Sequence, residues 1–135
     1  MKRKYIEAFM EMAGVFAQTS EAKRLKVGAV LVKDDAIISC GVNGTPSGWH
    51  TNDCEGLEGL TLPVVRHAEI NALNKLRKLP SVSTGATMFC THAACLSCSI
   101  DLVDAGVKQF FYKETYRDLS GLDYLNEHLV EVVQL

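Results

Sequence analysis

Apolar residues recur at intervals of three and four over residues 5–18 (Tyr5, Ile6, Phe9, Met10, Ala13, Phe16 and Ala17), which predicts an amphipathic helix. Residues 27–32 form a continuous apolar run. Asp34-Asp35 makes a turn, and residues 36–42 return as a second strand, so the two read as a hairpin. Asn43-Gly44-Thr45-Pro46-Ser47-Gly48 is dense in turn formers and opens a loop that continues through polar, glycine-containing sequence to Pro63. Helical spacing resumes over 64–79 (Val65, Ala68, Ala72, Leu73, Leu76) and stops before Pro80. A short buried strand is expected at 87–91, a helix at 95–105 stopped by Gly106, a strand at 107–112, a helix at 119–129 and a last strand at 130–133. Strands alternating with helices predict an α/β layered sheet with some parallel pairing. No internal repeat, low-complexity segment or linker interrupts the pattern.

Composition narrows this to one compact unit over residues 1–135, since 47% hydrophobic content fills a normal core. No apolar run approaches the roughly 20 residues of a membrane span. The basic start, Met1-Lys2-Arg3-Lys4-Tyr5, runs into Glu7 and Glu11, whose charges break any signal-peptide core. The expectation is a soluble, cytoplasmic protein. Fourteen basic against sixteen acidic residues leave a net charge of −2, whereas nucleic-acid binders concentrate basic residues on one face. The nearest approach is Lys23-Arg24-Leu25-Lys26; Lys75, Arg77 and Lys78 read as scattered, solvated charges. A polymeric substrate is disfavoured, and a small phosphorylated one is not. The five cysteines are an odd number, and in an intracellular chain their spacing points to metal binding or catalysis rather than a disulfide framework. Cys40 and Cys90 lie in apolar strand-like runs and read as buried structural thiols.

The chemistry lies in His67-Ala68-Glu69 and Cys95-Leu96-Ser97-Cys98. One imidazole and two thiolates make a three-ligand zinc set that leaves one position open for water, as catalytic zinc sites do. Both groups fall near predicted helix starts, where the dipole favours thiolate over thiol. Two cysteines three apart share one helical face. Glu69 is not a ligand in such a set and is placed to move protons. H-x-E followed by P-C-x-x-C is the signature of zinc nucleobase deaminases, which this chain matches except for Ala94 at the proline. Zinc lowers the pKa of water towards about 7. A single carboxylate can then take the water's proton and deliver protons to the ring nitrogen and the departing amine. Backbone N–H groups near Ala94 and Cys95 are candidates to hold the attacking oxygen. Two other readings stand beside this one. A redox dithiol leaves His67 and Glu69 without a role, and a closed structural zinc needs a fourth ligand, for which His92 is the candidate.

Beyond these motifs the chain resembles the deoxycytidylate (dCMP) deaminases of the small viral or bacteriophage kind, within the cytidine deaminase superfamily. The resemblance is carried by residues 26–32, 41–48, 67–73, 85–88, 95–98 and 114–116 in the family's order, nearly the whole chain. It implies a three-layer α/β/α sandwich around a mixed five-stranded sheet, and conversion of dCMP to dUMP and ammonia for thymidylate synthesis. It also implies a homo-hexamer activated by dCTP and inhibited by dTTP, with Mg2+ accompanying the triphosphate, and for a viral protein the host cytoplasm. His67, Cys95 and Cys98 correspond to the zinc ligands and Glu69 to the proton shuttle. Asn43 corresponds to an asparagine that contacts the sugar, and Thr45, Ala68, Thr91, His92, Ala93 and Tyr116 to substrate-pocket positions. Arg24, Lys26, Gly41, Val42 and Gly44 correspond to the effector site.

The chain departs from the family in three places. Ala94 replaces the proline before the first zinc cysteine; proline at a helix start preorganises the backbone, so alanine loosens the site. Val42 replaces the aromatic residue of the effector stretch, which puts effector control in question. The segment between Gly48 and His67 is short, although His50, Asp53, Cys54 and Glu58 offer a candidate second zinc set. The competing functions are deamination of dCTP as well, deamination of bases in nucleic acid, and a non-catalytic zinc-dependent nucleotide sensor. Net charge disfavours the second, and the presence of Glu69 disfavours the third.

Overall fold

A computed structural model describes residues 1–135. The elements run α1 (Arg3–Ala17), β1 (Gly28–Lys33), β2 (Ala36–Val42), α2 (Ala68–Leu76), β3 (Thr87–His92), α3 (Leu96–Asp104), β4 (Gln109–Glu114), α4 (Ser120–Glu127) and β5 (Glu131–Gln134). The strands form one five-stranded sheet ordered β2-β1-β3-β4-β5. β1 pairs antiparallel with β2 and β3, whereas β3, β4 and β5 run parallel, so the sheet is mixed as expected.

Alternation along the central strands divides the core into two layers. Leu31 pairs with Met88 and Met88 with Phe110; with Cys90 and Tyr112 they face α2, α3 and α4. One residue out of phase, Val30 pairs with Phe89 and Phe89 with Phe111, and these meet Phe9, Met10 and Ala13 of α1. The Phe89 and Phe111 rings stack with centroids 4.9 Å apart. Burying a side chain of this size stabilises the fold by roughly 1.5–3 kcal/mol. The period of two forbids a one-residue slip, which would exchange the two layers. The result is α1 on one face and α2, α3 and α4 on the other.

The hairpin turn matches its sequence signal. Lys33 pairs with Ala36 around Asp34 and Asp35, whose φ values of 51° and 60° are those of a two-residue turn with a left-handed backbone. Cys90 is buried, while Cys40 is only half-buried beside the smaller core.

Helix α2 is shorter than its apolar spacing predicts, starting at Ala68 rather than 64 and ending at Leu76. Arg66 is drawn into an antiparallel bridge with Gly44, exchanging hydrogen bonds of 2.8 and 3.1 Å, so residues before His67 are unavailable to the helix. β4 lies two residues later than predicted because Val107 and Lys108 bond back to Leu102 and Ala86. Gly41 lets α2 approach β2: a Cβ on it would sit 2.3 Å from Ala68 O and 2.6 Å from Ala72 N. That contact, together with the 2.6 Å bond from Ser39 Oγ to Ala72 O, fixes α2 on the sheet.

Candidate active site

Two helix starts meet at the carboxyl ends of the parallel strands, where open α/β sheets place their sites. His67 is the N-cap of α2 and Cys95 that of α3. His67 Nδ1 lies 3.2 Å from Cys98 Sγ and 3.5 Å from Cys95 Sγ, and all three ligand atoms fall within 4.8 Å of one another. Tetrahedral zinc with Zn–S about 2.3 Å and Zn–N about 2.0 Å needs N-to-S separations of about 3.5 Å. One nitrogen and two sulfurs at these distances therefore fit a zinc ion. The Cys98 N–H points at Cys95 Sγ at 3.5 Å, so the helix start serves the thiolate directly.

Electrostatics separates the two cysteines. A hydrogen bond from Cys98 holds the Cys95 thiol down at about 4, with His67 adding to the effect. The same bond and burial push Cys98 well above the usual thiol range. Glu69, in the first turn of α2, is only 3% exposed, and burial raises its carboxyl above the ordinary value. It sits beside the ligand set as a carboxyl able to hold a proton.

A cavity of about 400 Å³ opens over this cluster, a size suited to a small-molecule ligand. His67, Ala68, Glu69, His92, Ala93 and Cys95 line its floor; Asn43 and Tyr116 also border it. Arg24 is the one lysine or arginine in its lining, and its guanidinium pairs with no carboxylate, the chain's single side-chain ion pair being Arg3–Glu7.

Several residues singled out in the sequence lie elsewhere. Thr45 gives its hydroxyl to Thr51 O at 3.0 Å and does not line the cavity. Thr91 lies behind the wall: its Oγ accepts from Gly28 N–H at 3.1 Å and contacts His92 Nδ1 at 2.8 Å, orienting that ring. His92 stands outside the ligand cluster, so no fourth protein ligand closes the set. Burial lowers its pKa and favours the neutral ring. Arg24 parts company with the other effector-site candidates. It lines the main cavity, whereas Lys26, Gly41, Val42 and Gly44 do not. Gly41 is packed under α2, Val42 O accepts from Asn71 Nδ2 at 2.7 Å, and Gly44 pairs with Arg66, so these three hold α2 in place. His50, Asp53, Cys54 and Glu58 do not converge into a second metal set; His50 lies against Trp49, with ring centroids 5.0 Å apart.

Asn43 is anchored more fully than a turn-forming loop residue needs to be. Its Oδ1 accepts from Val27 N–H at 2.9 Å and from Ser20 Oγ at 2.7 Å, and its Nδ2 donates to Leu25 O at 2.7 Å. It ties down the stretch that carries Arg24. Two further residues escaped the sequence reading. Gly121 of α4 presses on the metal loop: a Cβ there would sit 2.1 Å from Ala94 O and 2.7 Å from Cys95 O. Glu55 binds the backbone of Lys23 and Arg24. No local sequence pattern announces either contact.

Comparison with known proteins agrees with this geometry. Residues 3–114 match the cytidine and deoxycytidylate deaminase zinc-binding region, and the chain belongs to that family. A dCMP deaminase from the cyanophage S-TIM5, solved in complex with dCMP and dUMP, is 47% identical, with a TM-score of 0.98 over 100% of this chain and 99% of that one. ComE operon protein 2 of Bacillus subtilis is 35% identical over 81% of this chain and 59% of its own length. The deoxycytidylate deaminase of Mycobacterium phage D29 is 33% identical over 78% of this chain and 91% of its own. The chain spans 36–59% of the length of the bacterial and yeast relatives it matches, and far more of the phage proteins.

Proposed function

We propose that this protein is a zinc-dependent deaminase that hydrolyses dCMP to dUMP and ammonia. The observation that carries the reading is Glu69, a buried carboxyl beside an open His67–Cys95–Cys98 set, with a lone cation, Arg24, bordering the same cavity. A nucleoside monophosphate has the matching polarity, with a base to be attacked at one end and a phosphate at the other. The likeness to a phage enzyme solved with dCMP and dUMP supports the same substrate.

His67, Cys95 and Cys98 would hold the zinc, which when bound supplies a Lewis acid that makes water nucleophilic at neutral pH. Glu69 takes a proton from the attacking water and passes it to the ring nitrogen beside the reacting carbon. It then takes the second proton of the new hydroxyl and delivers it to the exocyclic amine, which leaves as ammonia. Water and dCMP are consumed and dUMP and ammonia formed, with Glu69 unchanged. Ala68 and Ala93 narrow the floor, and the neutral His92 ring adds a polar wall without a charge. Asn43 and Tyr116 border the space for the sugar, and Arg24 that for the phosphate.

Its product feeds thymidylate synthesis in the cytoplasm, that of the host if the protein is viral. The assignment extends to a homo-hexamer activated by dCTP and inhibited by dTTP, with Mg2+ on the triphosphate. Lys26, Gly41, Val42 and Gly44 would contribute to that effector site. A substrate panel of cytidine, CMP, dCMP and dCTP, run with and without dCTP and dTTP as effectors, tests the whole reading. The expected result is turnover of dCMP, abolished in Glu69→Ala while zinc is retained. An active Glu69→Ala variant overturns the mechanism, and an inactive wild type overturns the function.

A further inference from the structure

The Arg24 backbone is held from behind by a residue that does not touch the cavity. Glu55 Oε1 accepts from the Lys23 N–H and from the Arg24 N–H, the latter at 3.2 Å. Glu55 lines a separate cleft of about 290 Å³, which Arg24 and Cys54 share with the main cavity. The 23–24 backbone therefore lies between the two spaces, with Glu55 lining one of them and Arg24 lining both. The Glu55 backbone is well anchored, while the second carboxylate oxygen, Oε2, is buried without a partner. Glu55 bridges Thr61 in a small hairpin closed by Leu62 N–H to Cys54 O at 2.8 Å and Gly56 N–H to Leu60 O at 2.9 Å. Its partner across the hairpin, Thr61, lines the main cavity. From the opposite side Asn43 binds Leu25 O and Val27 N–H. The stretch from Lys23 to Val27 is thus clamped at both ends by side chains from two distant loops.

We propose that Glu55 is a positioning residue for nucleotide recognition: by holding the Lys23 and Arg24 amides it sets the Arg24 guanidinium against the 5′-phosphate. The inference rests on the reading of the substrate as a nucleoside monophosphate. The carboxylate suits the task because two N–H groups converge on one oxygen, and a charged acceptor makes such bonds stronger than a neutral one. An exposed arginine on an unclamped loop spreads over many rotamers, and ordering it on binding costs affinity. Clamping the main chain removes part of that cost before the nucleotide arrives. Lys23 gains nothing comparable, since its side chain does not line the main cavity.

The test uses the full zinc-loaded chain. KM and kcat for dCMP, and calorimetric Kd values for dUMP and 2′-deoxyuridine, are measured for wild type, Glu55→Ala, Glu55→Gln, Arg24→Gln and the Glu55→Ala/Arg24→Gln double variant. Glu55→Ala is expected to raise KM for dCMP roughly tenfold with kcat within about twofold. It should also shrink the preference for dUMP over deoxyuridine, with zinc content unchanged. Glu55→Gln, which keeps an acceptor oxygen, should recover most of the loss. In the double variant the two losses should overlap, because Glu55 acts through Arg24. Losses that multiply, an unchanged KM in Glu55→Ala, or equal weakening for dUMP and deoxyuridine would each overturn the role of Glu55. If Glu55→Ala does not fold, the cycle is run with Glu55→Gln, where the same overlap is required. A wild type that neither turns over dCMP nor prefers dUMP sinks the nucleotide reading itself, a result distinct from all of these.

Discussion

Asn43 Oδ1 accepts a hydrogen bond from the Val27 N–H at 2.9 Å, joining the end of β2 to the start of β1 beside the cavity that both residues line. Together with the bond from Asn43 Nδ2 to Leu25 O, it commits both ends of one amide to the backbone. Asn43→Ala leaves the Val27 donor and the Leu25 acceptor without this partner, a loss of roughly 1–3 kcal/mol. The expected outcome is a lower urea midpoint at unchanged m-value. Asn43→Asp keeps the acceptor but loses the donor to Leu25 and should fall between the two. An Asn43→Ala variant as stable as wild type refutes this bracing role.

Gly121 is the second stability test. Any side chain there enters the space of Ala94 O and Cys95 O, and neither backbone atom can rotate away. Gly121→Ala is expected to destabilise by about 1–3 kcal/mol through overpacking. By displacing the Cys95 loop it should also weaken zinc binding roughly 10–100-fold, the usual cost of disturbing groups that support a ligand. Competition with a chromophoric chelator measures the second effect, and an undiminished affinity would mean that α4 does not support the site.

Stripping the metal exposes the asymmetry of the two cysteines. With Cys95 held near 4 by its bond from Cys98, the chelated protein carries a thiolate at neutral pH. Iodoacetamide should label Cys95 at a rate nearly flat from about pH 6 to 8, where an ordinary thiol gains about tenfold per unit. Cys98 and Cys90, both pushed upward, should lag. Peptide mapping by mass spectrometry reads the order, and zinc added back should protect Cys95 and restore turnover.

His92 supplies a pH dependence. Burial lowers its folded-state pKa below the ordinary 6.5, so the unfolded chain binds more protons in that window. Its contribution to stability is present above about 6.5 and is lost as pH falls towards the folded value. The unfolding midpoint should therefore drop as pH falls below about 6.5, and His92→Gln should flatten the drop. An equal slope in both proteins would assign the acid sensitivity to other groups.

What the sequence disclosed follows the range of the interactions involved. His67, Glu69, Cys95 and Cys98 were legible because metal and proton chemistry demand those residue types at those spacings, and the structure brings the three ligand atoms together. The hairpin was legible because two aspartates fit a left-handed turn. The start of α2 was not, because the apolar spacing of residues 64–67 says nothing of the bridge that Arg66 makes with Gly44. Glu55 and Gly121 were invisible for the same reason. One works through backbone amides 31 and 32 residues away, the other through an absent side chain. Arg24, whose family position points to the effector site, borders the main cavity without Lys26, Gly41, Val42 or Gly44, a placement set by backbone contacts with Glu55 and Asn43 that no local pattern shows.

The order of strands in the sheet carries a consequence for synthesis. Outward from the β1–β2 hairpin, β3, β4 and β5 lie in the order in which they leave the ribosome. The metal ligands are complete once Cys98 has emerged, but the glycine that seals their loop arrives only with α4. A nascent chain thus owns its zinc donors before it owns the surface that fixes them. Metal captured early would serve as a template on which the last quarter of the protein closes.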